Sequence, residues 1–198
     1  MTAATAATAR HADYRYKIAS NRLGLWLFIL SDSFVFIGLF VTRFYLLGNH
    51  RPHLDQALGL LVTSVLLLSS FCMNRAEVSI AHGDRKNFLI FTLITLLLGL
   101  AFLGGVVGVE WPTAAREGLT ASSGAAGAVF FMMTGMHAFH VLTGVLFLGI
   151  VLNNGRRGLY SAEKHWAVEA CANYWHFVDV VWIFFYPALY LIGTVAGG

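Results

Sequence analysis

Two acids and three histidines lie inside apolar stretches of this sequence, where ionisable side chains are rare. The acids are Asp32 and Asp179, and the histidines are His137, His140 and His176. If the apolar stretches are helices rising about 1.5 Å per residue, both acids lie near the middle of a membrane. An acid at that depth makes insertion less favourable by about 2.5–3.5 kcal/mol, so each should face protein or water and have a partner.

Several kinds of chemistry fit this polar set. Residues three apart share a helix face, so His176 could donate a hydrogen bond to Asp179, and His137 and His140 form a similar pair. Two histidines are too few for zinc, whereas a haem held by one histidine from each of two helices stays open. Asp32 could be a structural carboxyl, a proton-relay group or a substrate-binding group. We expect Asp32 to approach a histidine of the fourth helix.

Five transmembrane helices are predicted to position these residues. The chain has 198 residues, of which 58% are hydrophobic and 12% charged, and its mean hydropathy is +0.69. This composition excludes a soluble domain, and the low charge without alternating polar positions excludes an outer-membrane barrel. Apolar runs long enough to cross a bilayer predict an all-α bundle with spans at residues 22–47, 54–80, 86–109, 124–152 and 166–195.

The basic residues predict the orientation of this bundle. Residues 1–20 resemble a flexible cytoplasmic tail, and residues 21–198 form the transmembrane domain. Because positively charged loops stay in the cytoplasm, we predict a cytoplasmic N-terminus and an external C-terminus, with Glu110, Trp111, Arg116 and Glu117 on the external side. The cytoplasmic side collects Arg10, Arg15, Lys17, Arg22, Arg75, Arg85, Lys86, Arg156, Arg157 and Lys164, and the other side only Arg43, Arg51 and Arg116.

Composition also excludes several functions. The net charge of +3 is spread over connecting segments, so nucleic acid is not a predicted partner. Cys72 and Cys171 are interpreted as inert packing residues, which excludes a copper centre carried by a cysteine pair. No internal repeat with matched broken helices is visible, which disfavours a secondary transporter.

Charged residues near the predicted span ends are candidates for lipid contact. They could bind phospholipid headgroups or pair with one another, and they are Arg75, Glu77, Arg85, Lys86 and Glu169. Trp175 is a further candidate for lipid contact. It also belongs to a helical stripe that suits packing against another helix, formed by Trp175, Val178, Asp179, Trp182 and Tyr186.

Several segments carry a resemblance to a known family. YWHFVDVVWIFFYPALYL, residues 174–191, closely resembles the last helix of subunit III of the haem-copper oxygen reductases. RLGLWLFILSDSFVFIGLF resembles the first shared helix of that family, SSFCMNRAEVSIAHGDR the end of the second, and TGMHAFHVLTG the signature of the fourth. The chain is similar to the five-helix bacterial form, and it has Asp32 where longer cytochrome c oxidase members usually have a glutamate.

The resemblance implies a non-catalytic subunit III of a cytochrome c or quinol oxidase in the bacterial inner membrane. It implies a V-shaped bundle with a lipid-filled cleft, bound phospholipids, and contact with catalytic subunit I and with subunit II, which hold the haem and copper. Members of the family sustain proton uptake, protect against inactivation during turnover, and have been proposed to guide oxygen. Two alternatives are the related subunit of nitric oxide reductases and a stand-alone proton-conducting or transport protein.

Overall fold

Helices account for most of the chain, as the apolar runs predict. The computed structural model describes residues 3–195, with side chains from residue 16 onward. Two π-helical segments, π1 (Gly104–Glu110) and π2 (Pro187–Leu191), extend the third and sixth α-helices. The α-helices are α1 (Ala3–Leu47), α2 (Gln56–Ala81), α3 (Arg85–Leu103), α4 (Trp111–Arg116), α5 (Ala125–Arg156) and α6 (Trp166–Tyr186).

Four helical segments in the described residues are long and apolar enough to cross a membrane. They are Tyr16–Leu47, Gln56–Ala81, Arg85–Arg116 and Ala125–Arg156. The first four predicted spans are therefore confirmed as apolar helices, and the chain is a multi-pass membrane protein. The fifth predicted span corresponds to α6, whose 21 residues include Glu169, Asn173, His176 and Asp179 and which is not among these four segments. Its crossing of the membrane, the orientation of the termini and the V-shape stay predictions.

The N-terminal and third helices extend beyond their predicted bounds. Helix α1 begins at Ala3, well before the predicted span at residues 22–47, because the alanine-rich leader favours helix. The flexibility of the tail stays a prediction, and residues 1–2 and 196–198 lie outside the described residues. The predicted external loop is helical through π1 and α4, because Pro112 lies in the first turn of α4, where its missing N–H needs no helical partner.

The chain divides into two compact units, residues 1–35 and residues 36–198. In the first unit, the Ser33 hydroxyl donates to the Ile29 carbonyl at 2.7 Å, a bond to the preceding helical turn. Large apolar side chains of this unit are more than half exposed, as expected of a lipid- or protein-facing helix. They are Leu23, Trp26, Leu27, Phe28, Leu30 and Phe34.

The second unit is an antiparallel bundle with two distinguishable ends. A turn of three residues, 82–84, joins α2 to α3, and we call this the turn end. At the opposite end, β1 (His50–Arg51) pairs in parallel with β2 (Thr194–Val195), with His50 opposite Thr194, and we call this the sheet end. Helix α6 packs against α2 and α5, and α3 packs against the same two helices. The core of the second unit lies among α2, α3, α5 and α6.

Asp84 caps α3 at the turn end and should make its first turn sensitive to pH. Its carboxylate accepts hydrogen bonds from the Asn87 backbone N–H at 3.1 Å and the Asn87 side-chain amide at 2.6 Å. These bonds favour the charged form, so they hold the pKa of Asp84 below its ordinary value. The stabilisation is present above the unfolded-state pKa and is lost as pH falls through the lowered folded-state pKa.

We expect Asp84→Ala to loosen the first turn of α3 at neutral pH and to have no effect once Asp84 is protonated. Amide hydrogen exchange at residues 87 and 88, followed as a function of pH, measures this difference. Asp84→Asn is the matched control, because asparagine also caps helices but does not titrate. Equal exchange in the wild type and Asp84→Ala across the whole range would contradict the assignment.

Candidate functional site

The predicted packing stripe of α6 faces the interior of the second unit. Trp175, Val178, Asp179 and Trp182 are all buried, which confirms this part of the stripe. Two indole N–H groups donate to hydroxyls of α2: Trp175 Nε1 to Ser69 Oγ at 3.0 Å and Trp182 Nε1 to Thr63 Oγ1 at 2.9 Å. Because buried indole N–H groups need an acceptor, these two hydroxyls align α6 along α2.

The indole of Trp175 packs inside the bundle between Gly99 and Gly144 and does not face lipid. A Cβ atom added at Gly99 would lie 2.6 Å from Trp175 Cη2, and one added at Gly144 would lie 2.8 Å from Cε3 and Cζ3. The residue is fully buried, so the predicted lipid contact of Trp175 is wrong. The physical reason is that the two glycines on α3 and α5 leave room for the indole inside the bundle.

His176 and Asp179 share a helix face without bonding to each other. His176 Nδ1 lies 2.7 Å from Ser70 Oγ on α2. Asp179 is buried, and neither of its carboxylate oxygens has a hydrogen-bond partner among the described residues. The Ser70 hydroxyl also faces Asp179. The predicted bond between His176 and Asp179 is therefore wrong, because the imidazole turns toward the hydroxyl of the neighbouring helix.

His137 is enclosed by aromatic rings. It is fully buried, and its ring centroid lies 4.7 Å from that of Trp182, 5.5 Å from Phe102 and 6.4 Å from Phe185. Neither ring nitrogen has a hydrogen-bond partner among the described residues. The indole of Trp182 thus links this histidine to the packed stripe of α6.

His140 has different surroundings, one helical turn further along α5. Its Nδ1 lies 2.7 Å from the Met136 carbonyl oxygen and donates to it, because a carbonyl can only accept. Phe36 packs edge-on against the imidazole at 4.7 Å between centroids. The residues from 16 to 195 include no group of three or more His, Cys, Asp or Glu side chains arranged to hold a metal ion.

Asp32, the remaining member of the predicted set, lies in the first unit. Its residue is partly exposed, and Asp32 takes part in an interaction within the protein. The four other members belong to the second unit. The expected approach of Asp32 to a histidine of the fourth predicted span stays a prediction.

The charged lipid-contact candidates lie near the turn end and have separate roles. Arg85 donates from Nε to the Gly155 carbonyl at 3.2 Å and from Nη2 to the Arg156 carbonyl at 2.7 Å, so it caps the end of α5. Glu77 interacts electrostatically with Glu169 and His165, and Arg75 lies 5.9 Å above the Phe91 ring. Lipid binding by Arg75, Glu77, Arg85, Lys86 and Glu169 stays a prediction.

The sequence reasoning missed a buried cation at the sheet end. Arg43, counted above among the basic residues of the external side, is fully buried and donates to the carbonyl oxygens of Ala188 at 2.7 Å, Gly48 at 2.9 Å and Ile192 at 2.7 Å. Its guanidinium thereby joins the end of α1 to π2 and the residue that follows π2. An arginine inside the apolar run TRFYLL was the available signal, since a cation there needs acceptors.

An apolar groove of about 450 Å³ opens near the same end. Its walls come from the last two turns of α1 and the start of α5, and include Leu39, Leu46, Val129 and Met132. Such a groove suits a hydrocarbon chain better than a polar ligand, because its lining is almost wholly apolar.

Comparisons with known proteins cover nearly the whole chain. The family model described as Cytochrome c oxidase subunit III matches residues 6–194. Cytochrome c oxidase subunit 3 of Thermostichus vulcanus is 36% identical over 193 residues, which cover 92% of this chain and 89% of that relative. The proteins of the same name from Salmo salar and Xenopus laevis are 36% and 38% identical, and each alignment covers 87% of this chain and 70% of the relative.

Proposed function

This chain belongs to the cytochrome c oxidase subunit III family, and from that membership we propose that it is the non-catalytic third subunit of a respiratory terminal oxidase. The observation that carries the proposal is the family match over residues 6–194. Membership implies association with other oxidase subunits. We assign the partners as catalytic subunit I and subunit II, which reduce oxygen to water with haem and copper that this chain does not bind.

The surroundings of the buried imidazoles favour a structural role for this chain over a redox role. His137 is surrounded by aromatic rings, His140 donates to its own helix, and His176 binds Ser70. The three imidazoles therefore lie in separate surroundings and do not converge on one point. Redox cofactors would then belong to the partner subunits.

Copurification tests the assignment. We expect the tagged chain, extracted in mild detergent, to elute with a larger subunit that has haem absorbance and consumes oxygen. A colourless protein that is stable by itself would support the stand-alone proton conductor instead. A haem-containing partner that reduces nitric oxide and not oxygen would support the nitric oxide reductase alternative.

The apolar groove supports a second part of the proposal, the binding of phospholipid. Leu39 and Leu46 on α1 face Val129 and Met132 on α5 across a space that an acyl chain could fill. Arg75 and Lys86 near the turn end are the proposed headgroup contacts, because anionic headgroups attract basic residues at span ends. Orientation with the turn end in the cytoplasm of a bacterial cell follows from the excess of Lys and Arg there.

Lipid analysis of the purified complex tests the groove. Met132→Trp would fill the space with an indole, and we expect it to reduce the amount of phospholipid retained by the complex. Phe139→Trp, at an exposed position on the same helix, is the matched control. Equal lipid content in Met132→Trp and the wild type would reject the groove as the binding site.

The buried polar residues support a third part, a contribution to proton uptake and to stability during turnover. Asp179, His176 and Ser70 form one polar group, while Asp32 lies on the separate first unit. Intramembrane acids commonly mark proton pathways, because their insertion is unfavourable unless function retains them. Delivery of oxygen through bound lipid is the remaining element of the proposal.

We expect Asp32→Ala to leave the haem spectrum unchanged while it slows proton uptake or speeds inactivation during turnover. Stopped-flow proton uptake and the decay of oxygen consumption measure these effects. Asp32→Glu restores the carboxyl and serves as the control. Loss of haem from the complex would point to an assembly defect and contradict the proton-related role.

A further inference from the structure

Glu110, the last residue of π1, has a buried carboxylate to which the proposed function assigns no role. The residue is 4% exposed, and neither carboxylate oxygen has a hydrogen-bond partner among the described residues. Burial of a charged group is strongly unfavourable unless the charge is paired.

The charged neighbour of Glu110 is a second acid. Asp55 acts electrostatically on Glu110, so it adds to the negative charge instead of balancing it. Asp55 caps α2 through one oxygen only: Oδ1 accepts the backbone N–H groups of Ala57 at 2.9 Å and Leu58 at 3.1 Å. Its Oδ2 takes no part in these two bonds.

The side chain of Tyr190 packs against the same turn of α2. Tyr190 on π2 is fully buried, and its hydroxyl has no hydrogen-bond partner among the described residues. The Tyr190 ring lies against Gly59, where an added Cβ atom would come within 2.7 Å of Cε1. Tyr190 is therefore packed on the first turn of α2, which Asp55 caps.

The register between π1 and α2 brings Glu110 level with this turn. Gly105 packs against Val62, since an added Cβ atom at Gly105 would lie 2.6 Å from Val62 Cγ1. Glu110 is five residues further toward the sheet end, and the two segments are antiparallel. Five residues of a π-helix rise slightly less than five residues of an α-helix, so Glu110 lies beside the turn of α2 between Asp55 and Val62.

We propose that Glu110, Asp55 and Tyr190 bind a hard divalent cation, Ca²⁺ in class, at the sheet end of the bundle. All three donors are oxygens, which suit Ca²⁺ and Mg²⁺ and not softer metals. Two carboxylates balance the charge of a divalent ion, and water molecules complete its coordination. Ca²⁺ fits better than Mg²⁺, because it tolerates irregular geometry.

A pocket of about 490 Å³ is lined by Asp55, so this carboxylate lies beside a space open to solution. Two basic residues line it, but both have other partners. Arg51 Nε donates to the Gly193 carbonyl at 3.1 Å, and His53 Nδ1 lies 3.3 Å from Glu117 Oε2. Both basic side chains therefore have a hydrogen-bond partner other than Asp55.

Terbium luminescence in the detergent-purified complex tests the site. Tb³⁺ replaces Ca²⁺, and energy transfer from the stacked Tyr186 and Tyr190 rings, 5.1 Å apart, should sensitise its emission. We expect Glu110→Gln to weaken Ca²⁺-displaceable Tb³⁺ binding about tenfold or more, as loss of a metal ligand does. Asp55→Asn should also weaken binding while it keeps the helix cap. Glu163→Gln, which removes an exposed acid before α6, should leave binding unchanged.

Two outcomes would overturn the proposal. Equal Tb³⁺ binding in the wild type and in both folded variants would place the ion elsewhere. If Ca²⁺ shifts the melting temperature of neither the wild type nor the variants, Glu110 is balanced by a proton and no metal site exists. If Glu110→Gln does not fold, Asp55→Asn alone decides, and unchanged binding in Asp55→Asn then rejects the site.

Discussion

Addition of one methyl group at Gly99 or Gly144 is expected to destabilise the bundle by about 1–3 kcal/mol, the usual range for overpacking a core. The Cβ atom would lie within 2.6 Å of the Trp175 ring in the first case and 2.8 Å in the second. The ring cannot move away freely, because it is buried and its Nε1 donates to Ser69. Thermal unfolding of the purified complex, followed by dissociation of this chain, measures the effect.

Gly149→Ala is the matched control for this prediction. Gly149 lies on α5 like Gly144, but its added Cβ atom would meet nothing closer than Leu96 at 3.9 Å. Alanine is a better helix former than glycine by up to about 1 kcal/mol, so this variant should be neutral or slightly stabilised. Equal stability of Gly144→Ala and Gly149→Ala would show that Trp175 is not held as described.

Replacement of Arg43 by leucine is expected to destabilise the sheet end by about 3–5 kcal/mol, because each of three carbonyl acceptors left without its donor is unfavourable by about 1–3 kcal/mol and two of these bonds are only partly buried. Three buried or partly buried carbonyls would lose their donors, those of Ala188, Gly48 and Ile192. Limited proteolysis of the C-terminal segment, together with thermal unfolding, measures the loss. We expect faster cleavage after π2 in Arg43→Leu.

Two further variants separate charge from geometry at this position. Arg43→Lys keeps the positive charge, but an ammonium lacks the planar fork that reaches three acceptors, so its stability should lie between that of wild type and Arg43→Leu. Arg51→Leu removes a single longer bond to the Gly193 carbonyl and should destabilise by about 1 kcal/mol or less. A similar loss in Arg43→Leu and Arg51→Leu would contradict the central role of Arg43.

Much of the helical framework was predictable from the sequence. Residues 54–80 and 124–152 were predicted as spans, and the corresponding helices are Gln56–Ala81 and Ala125–Arg156. The burial of Val178 and Trp182 followed from their spacing on α6, because helical periodicity places such residues on one face. Apolar length and periodicity are local properties, so a single sequence is enough to reveal them.

Partner choice within the bundle was not predictable in the same way. The pairing of His176 with Asp179 was expected from spacing alone, yet the imidazole binds Ser70, which is 106 residues away in the chain. The fit of Trp175 between glycines of α3 and α5 likewise depends on how three helices meet. The burial of Arg43 was not predicted either, because two of its three acceptor carbonyls come from the far end of the chain.

The amino-acid sequence by itself determined that this protein is helical and embedded in a membrane, and its motifs determined the family. Only the tertiary structure decided which polar groups form hydrogen bonds and which glycines pack against the Trp175 ring. It also decided that Glu110 is buried near another acid. The physical reason is that insertion and helix formation depend on neighbours along the chain, whereas hydrogen bonds and close packing between helices depend on register and rotation, which no local pattern specifies.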